Sequence, residues 1–405
     1  MFSVSLKCDI IDKVRTFENR IKGYILNPEK VCLIAVSFGP DSMALLHRLH
    51  RLQNLRLHVV HVNHQLRSEA AQEENDLKDY CQKLGIPISI YRLNKLESSS
   101  NLEDQLRNLR YTYFSQVYKE LKAQAIFLGH QKDEQVETGI KRFFEGASFA
   151  KLSGMSGDST LFGMRVLRPQ LMDTKADLLE YLQHHQIPFC VDHTNFSPQF
   201  LRGKMRCELL PELEIKFGKS ISQNVYNFMV EADNLARYLD KKIKPVLEKV
   251  VTGPYGNYLP IESIVDLDSV ELNHIMVRLH VINRNTRQRV LEYFFQKRIG
   301  KKVEDKECAC YVERQGIFFL KKELAPQDYS QTMSKERGWL SFWKGNIGYH
   351  QPQQQQNWID PKQKKCANWD KIIKKYSKNN IPIFLRNQVY VLEDQGKVIY
   401  EFLTL

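Results

Sequence analysis

Six consecutive residues, Ser37-Phe38-Gly39-Pro40-Asp41-Ser42, are of the types that can hold an anion. The apolar run from Val31 to Val36 before them reads as a strand buried on both faces, and Leu45, Leu46 and Leu49 after them repeat at helical spacing. A strand that turns abruptly into a helix leaves backbone N–H groups unpaired. With the positive end of the helix dipole, those donors make an anion site. Gly39 lets the backbone approach an oxygen closely, and Ser37 and Ser42 add hydroxyl donors. Asp41 has the wrong charge to bind phosphate directly. It either favours the helix dipole, by roughly 0.3–1 kcal/mol, or holds a metal ion that bridges phosphates. The competing reading is a strand–helix turn with no ligand.

A second group runs from Gly129 to Thr138 and contains His130, Asp133, Glu134 and Glu137. On a helix, His130, Glu134 and Glu137 fall at i, i+4 and i+7, with Asp133 one turn from Glu137. Carboxylates crowded at a strand end repel one another unless a cation sits among them. Their oxygens suit Mg²⁺, which also coordinates substrate phosphates; Asp41 and Asp133 are the candidate ligands. His130 is either a general base or a hydrogen-bond donor to a leaving phosphate, and an exposed acidic helix face with a capping His is the alternative. A third group is Asp192-His193-Thr194-Asn195 followed by Leu201-Arg202-Gly203-Lys204-Met205-Arg206. Arg202 and Arg206, four apart, can face one anion, as can Arg107 and Arg110, three apart.

Strand ends and helix starts must position these groups, and the first half of the chain supplies them in alternation. Strand-like runs at 57–62, 88–91, 125–128 and 164–167 are separated by helical stretches at 68–84, 100–122 and 132–144, and a further one follows at 175–184. Such units predict a doubly wound parallel α/β sheet with ligands at the carboxyl ends of its strands. Near Pro211 the alternation stops. Residues 222–251 read as a helix with Val225, Phe228, Met229 and Ala232 on one stripe, broken by Gly253-Pro254-Tyr255-Gly256. Helical segments at 272–279 and 289–295 lead to strand-like 310–312 and 317–320. A Gln-rich stretch at 353–356, a helix at 369–376 and a closing hairpin from Gln388 to Tyr400 complete the chain. The expected organisation is a catalytic domain at 1–215, a helical middle domain at 216–325 and a small α+β domain at 326–405.

The 405 residues carry a net charge of +12. Residues 1–215 hold 28 Lys+Arg against 26 Asp+Glu, and residues 216–405 hold 31 against 21. A basic excess confined to the second half suggests a separate polyanion-binding surface. No apolar run is long enough to span a membrane, and the first residues lack the apolar core of a signal peptide. The eight cysteines are scattered, and the spacing of Cys308 and Cys310 fits neither a metal knuckle nor a disulfide framework. Reduced thiols in a cytoplasmic protein are expected. The sequence sets no oligomeric state and is compatible with a homodimer.

The turn at 37–42 is not a Walker A loop, since no Gly-Lys-Ser/Thr closes it. It resembles the PP-loop, Ser-Gly-Gly-x-Asp-Ser, of the N-type ATP pyrophosphatases, with Phe38 in place of the first glycine. Within that superfamily nearly the whole chain resembles the tRNA(Ile)-lysidine synthetases. His61-Val62-Asn63-His64-Gln65-Leu66-Arg67 is similar to their segment after the second strand, and Arg107-Asn108-Leu109-Arg110-Tyr111 to their arginine helix. Gly129 to Thr138 resembles their Gly-His-x-x-Asp-Asp-x-x-x-Glu-Thr motif, with Glu134 replacing the second Asp, and 192–211 and 372–386 resemble two later segments. The resemblance implies an ATP-dependent ligation of L-lysine to C2 of a cytidine in the CAU anticodon of tRNA(Ile), through an adenylated base. The 37–42 loop would bind ATP, and Asp41, Asp133, Glu134 and Glu137 would serve as metal or amine partners, with a carboxylate or His130 accepting a proton from the amine. Two other functions compete. A tRNA sulfurtransferase would need a catalytic cysteine, but Cys32 lies in a buried run and Cys81, Cys190 and Cys207 show no paired spacing. A non-catalytic RNA-binding protein with a degenerate PP-loop is suggested by Phe38 and Glu134.

Overall fold

In the computed structural model, which describes residues 16–65, 69–93, 102–190, 201–279, 282–304, 306, 308–320, 338–345, 356–361 and 366–404, the run after Lys30 forms β1 (Val31–Ala35). Cys32, Leu33 and Ile34 are fully buried, because side chains alternate between two covered faces. Cys32 and Ile34 join a core with Met43, Leu46, Leu178 and Leu182. Leu33 joins another with Tyr111, Phe114 and Val117.

The alternation continues as α1 (Phe17–Lys22), α2 (Pro40–Arg51), β2 (Arg56–Asn63), α3 (Ala70–Leu84), β3 (Ile88–Arg92), α4 (Leu102–Glu120), β4 (Ala125–Phe127), α5 (Lys132–Phe144), α6 (Phe149–Leu152), β5 (Asp158–Leu161), β6 (Met164–Leu167) and α7 (Lys175–His184). Residues 100 and 101, where the helical stretch was expected to begin, lie outside the described residues. The sheet order is β3-β2-β1-β4-β6-β5. Every pairing is parallel except that of the edge strand β5 with β6. Connections leave β1 towards β2 and β3, then return to place β4 on its other side. That reversal is the switch point at which open α/β sheets bind ligands. The doubly wound sheet is therefore as expected.

The chain packs as two compact units, Met1–Asp233 and Asn234–Leu405. After α8 (Leu201–Lys204), a π-turn (Met205–Leu209) and α9 (Leu210–Phe217), the boundary falls inside the long helix α10 (Ile221–Leu247). Met229, Ala232, Ala236, Leu239 and Ile243 form its buried stripe, whereas Phe228 is 54% exposed. The expected stripe was thus one residue too wide, since neighbouring helix positions point about 100° apart.

The second unit is richer in strands than the sequence suggested. The break at Gly253–Gly256 is a hairpin turn joining β7 (Val251–Gly253) to β8 (Gly256–Pro260). These strands extend a five-stranded antiparallel sheet, β7-β8-β11-β10-β9, with β9 (Lys301–Glu304), β10 (Ala309–Glu313) and β11 (Gly316–Leu320). Helices α11 (Ile261–Ile264), α12 (Ser269–Arg278) and α13 (Arg284–Phe295) precede β9. Strand β11 is buried along its whole length. Ile317 and Phe319 face a core with Leu272 and Ile275. Phe318 and Leu320 face another with Trp343, Tyr376 and Phe384, drawn from α14 (Trp339–Trp343), α15 (Trp369–Lys378) and the 3₁₀ turn Ile383–Leu385. A three-stranded sheet, β12 (Gln356–Ile359), β13 (Val391–Asp394) and β14 (Lys397–Tyr400), closes the chain. Its final hairpin starts three residues later than expected, at Val391.

Candidate active site

The loop after β1 is fixed largely by Ser42. Its hydroxyl donates to the Gly39 carbonyl at 2.9 Å and accepts the Ser37 N–H at 3.1 Å. Ser42 is 7% exposed, so in this structure its hydroxyl builds the loop from inside. Ser37 is the exposed serine. Gly39 caps α2 and Pro40 opens it, the position where a missing N–H and a fixed φ cost nothing. Phe38 has φ +63° and a side chain 4% exposed in the β1 core. The left-handed region explains why the PP-loop pattern has glycine here. In this chain burial of the ring offsets a backbone cost of about 1–2 kcal/mol.

The second loop meets the first backbone to backbone. A Cβ added at Gly129 would lie 3.1 Å from the carbonyl carbon and oxygen of Asp41 and from the Ser42 nitrogen. A side chain there would push the Asp41 backbone back by a few tenths of an ångström, and the close approach sets the start of α5 beside the start of α2. Helix α5 begins at Lys132, capped by Gln131, with the Glu134 carboxylate accepting the Gln131 N–H at 3.3 Å. His130 therefore precedes the helix and does not share its stripe with Glu134 and Glu137, as the sequence had suggested.

Three carboxylates converge, and each is held above its usual range. Burial pushes Glu134 up to about 7, reinforced by the charges of Asp41 and Glu137. Burial likewise raises Asp41 and Glu137, against the pull of Lys175 and Arg206 respectively. The Lys175 ammonium donates to both Asp41 oxygens, at 2.8 and 2.9 Å, and the Lys175 backbone N–H donates to Asp133 at 3.0 Å. Arg206, on the π-turn, donates to Glu137 at 2.8 Å from Nε and lies 2.7 Å away through its terminal nitrogen. The other Glu137 oxygen is buried with no hydrogen-bond partner. Sites of this kind are arranged for proton transfer or for a cation.

His130 is in the opposite state. Burial and the charges of Arg168, Arg107, Arg110 and Arg202 hold it down to about 3. Arg168 Nε donates to His130 Nδ1 at 3.3 Å, so the imidazole is neutral with its proton on Nε2. Of the two roles left open for it, this geometry favours hydrogen-bond donor over base. The field of all four predicted arginines reaches the site: Arg107 and Arg110 act on His130, Arg202 on Glu134, and Arg206 on Asp41 and Glu137. The segment 192–195 lies outside the described residues, as do Leu66 and Arg67. Sequence reasoning missed Lys175, Arg168 and Gln170, whose side-chain amide donates to the Asp41 carbonyl at 3.0 Å. The available signal for Lys175 was its place at the start of a helix behind Thr174 and ahead of Asp177, a capping box.

The donor set fits Mg²⁺ in one restricted sense. No group of three His, Cys, Asp or Glu among the described residues forms a cage. Mg²⁺ is commonly held by one or two carboxylates with water and substrate phosphates, and Asp41 with Asp133 and the orphan oxygen of Glu137 match that chemistry. No helix among the described residues is long and apolar enough to cross a membrane, and no disulfide joins the described cysteines.

Comparison with known proteins shows the family. A PP-loop domain model matches residues 11–213. The tRNA(Ile)-lysidine synthase of Protochlamydia amoebophila (strain UWE25) is 28% identical, over 98% of this chain and 93% of its own length. That of Chlamydia muridarum (strain MoPn / Nigg) is 35% identical, over 61% of this chain and 79% of its own. Among solved structures, the U34-tRNA thiolase NcsA from Methanococcus maripaludis covers 56% of this chain and 79% of its own at 16% identity and a TM-score of 0.46, a level that adds nothing to the assignment. The chain belongs to the PP-loop family and, within it, to the tRNA(Ile)-lysidine synthases.

Proposed function

We propose that the chain uses ATP to join L-lysine to C2 of the wobble cytidine in the CAU anticodon of tRNA(Ile), in the cytoplasm, and that the switch-point site carries out both steps. The observation that supports this most directly is the contact of Gly129 with the Asp41 backbone, which sets an anion-binding loop against a cluster of raised carboxylates. ATP lies with its phosphates along Ser37–Ser42, met by backbone N–H groups and the dipole of α2. The cytosine O2 attacks the α phosphorus, pyrophosphate leaves, and the base is adenylated. The ε-amine of lysine then displaces AMP at C2.

Little covalent chemistry is asked of the protein, so positioning and charge neutralisation carry the rate. Asp41 and Asp133 would hold Mg²⁺, which would neutralise phosphate charge when bound. The Nε2–H of His130 donates to a phosphate oxygen. Arg107, Arg110, Arg202 and Arg206 surround the substrate anions. Glu134, with an affinity for protons near neutrality, is the group matched to receive the proton that the lysine ammonium must lose. The basic second half grips the tRNA body, since phosphate contacts position RNA without reading it.

Pyrophosphate release from ATP, with tRNA(Ile) and lysine present, tests the reading together with incorporation of labelled lysine into tRNA. Both are expected. Release without incorporation would point to sulfur transfer or another second step, and no release would leave a binding protein.

A further inference from the structure

Two adjacent phenylalanines end the helix that carries the site carboxylates, and both stand largely in solvent. Phe143 is 63% exposed and Phe144 67%, with ring centroids 5.8 Å apart in an edge-to-face arrangement. Large apolar groups left in water beside a reactive site mark a contact surface more often than an accident of packing. Beside Phe144 opens a cleft of about 320 Å³ lined by Lys141, Phe144, Glu145, Lys204, Met205 and Leu209. Met205 is 4% exposed and packs with Val136, Ile140 and Leu209, so the floor is apolar and firm. Lys204, also in the lining, is exposed. The Lys141 ammonium lies 3.8 Å from Glu145, an exposed pair of a kind worth little.

The cleft adjoins the catalytic cluster. Phe144 lies seven residues beyond Glu137 on α5, roughly 10 Å along the helix axis. Lys204 lies two residues before Arg206, which holds Glu137. A flat aromatic face, an apolar floor and two exposed lysines in the lining are what an unstacked nucleobase and its phosphates require. A second copy of the chain would find the rings attractive, but the lysines favour a polyanion.

We propose that this cleft is a nucleobase subsite, in which a tRNA base near the target cytidine stacks on Phe144 while Lys141 and Lys204 meet the flanking phosphates. The proposal rests on the tRNA-modifying reading above. Phe144→Ala, Phe144→Trp and Lys204→Met are compared with wild type by titrating labelled tRNA(Ile) across a salt series, with ATP affinity and size-exclusion chromatography alongside. Phe144→Ala is expected to weaken tRNA binding about 5- to 50-fold, in the range of one lost base stack. Its salt slope and its ATP affinity stay unchanged, and Phe144→Trp restores binding. Lys204→Met lowers the salt slope by about one phosphate contact. Unchanged tRNA affinity in Phe144→Ala overturns the subsite. A changed association state with unchanged affinity also overturns it, and assigns the rings to contact between copies. If wild type itself releases no pyrophosphate with tRNA and lysine, the underlying reading fails and the subsite falls with it. Wild-type turnover beside an unaffected Phe144→Ala sinks the subsite alone.

Discussion

The carboxylate cluster at the sheet end of the first unit and the buried carboxylates of the second are partnered differently. In the first, Asp41, Glu134 and Glu137 crowd one end of a parallel sheet, and burial raises all three above the usual carboxylate range, while one Glu137 oxygen stays without a partner. In the second, buried carboxylates are engaged where they stand. Glu401 accepts the Thr404 N–H at 3.0 Å and the Lys375 ammonium at 2.8 Å, and Glu313 accepts the Phe384 N–H at 3.3 Å. A hydrogen bond from Lys242 holds Glu271 below the usual carboxylate range. The first pattern leaves charge to be completed by a ligand, and the second locks structure. The surface contrast runs the other way, because residues 216–405 carry 31 Lys+Arg against 21 Asp+Glu and residues 1–215 are nearly balanced.

If chemistry and grip are divided in this way, Asp41→Ala should lower pyrophosphate release at least a thousandfold, about 4 kcal/mol in barrier. tRNA affinity by filter binding should stay within about twofold, and near wild-type turnover would dissolve the contrast. A second difference concerns pH. The folded state keeps the Glu134 proton up to about 7, whereas the unfolded chain releases it near the ordinary Glu value, so stability falls as pH rises between the two. Glu134→Gln keeps the helix cap and removes the titration. Its melting curves should lack that decline, a difference on the order of 3 kcal/mol at most, and parallel wild-type and variant curves from pH 4.5 to 7.5 would count against the crowded-carboxylate account.

Phe38→Gly restores the family glycine and relieves the left-handed backbone, yet it empties a buried ring from the core. Loss of about 3–5 kcal/mol of packing against about 1–2 regained predicts a net destabilisation of roughly 2 kcal/mol in chemical denaturation. A stabilised variant would show that the ring contributes less than the strain. The smallest effect is expected in the second unit. Lys374 and Lys378 are exposed on α15, and their joint replacement by Glu should weaken tRNA binding about tenfold and flatten its salt dependence, with ATP affinity untouched. No change in affinity or slope would move the basic grip elsewhere.

Much of the first unit was legible because its information is local. The apolar runs and the spacing of Asp133, Glu134 and Glu137 each declare an element or a group within a few residues. Helices 132–144 and 175–184 matched the structure to the residue. What was illegible depends on distant partners. Lys175 becomes a site residue only because α7 returns to the end of β1, 134 positions from Asp41. Strands β7, β8 and β9 are short, and their identity comes from pairing: β7 with β8, β8 with β11 and β9 with β10. Gly253–Gly256 read as a break because a tight hairpin and a helix stop share the same residues. His130 was drawn onto the helix by its spacing, while the Gln131 cap, set by side-chain geometry, excludes it.

Gly129 has a kinetic consequence. Because it brings the loop of the fourth strand against the Asp41 backbone, the two loops meet backbone to backbone with no side chain between them. Admission of a nucleotide then asks little of the main chain. The groups that must give way are the ends of long side chains, Lys175 on Asp41 and Arg206 on Glu137, and such ends reorient in picoseconds to nanoseconds, against microseconds or slower for collective loop and domain motions. If the nucleotide enters here, as proposed, its place is opened by side-chain motion alone, whereas the cytidine of the RNA has to leave its stack before any bond is made.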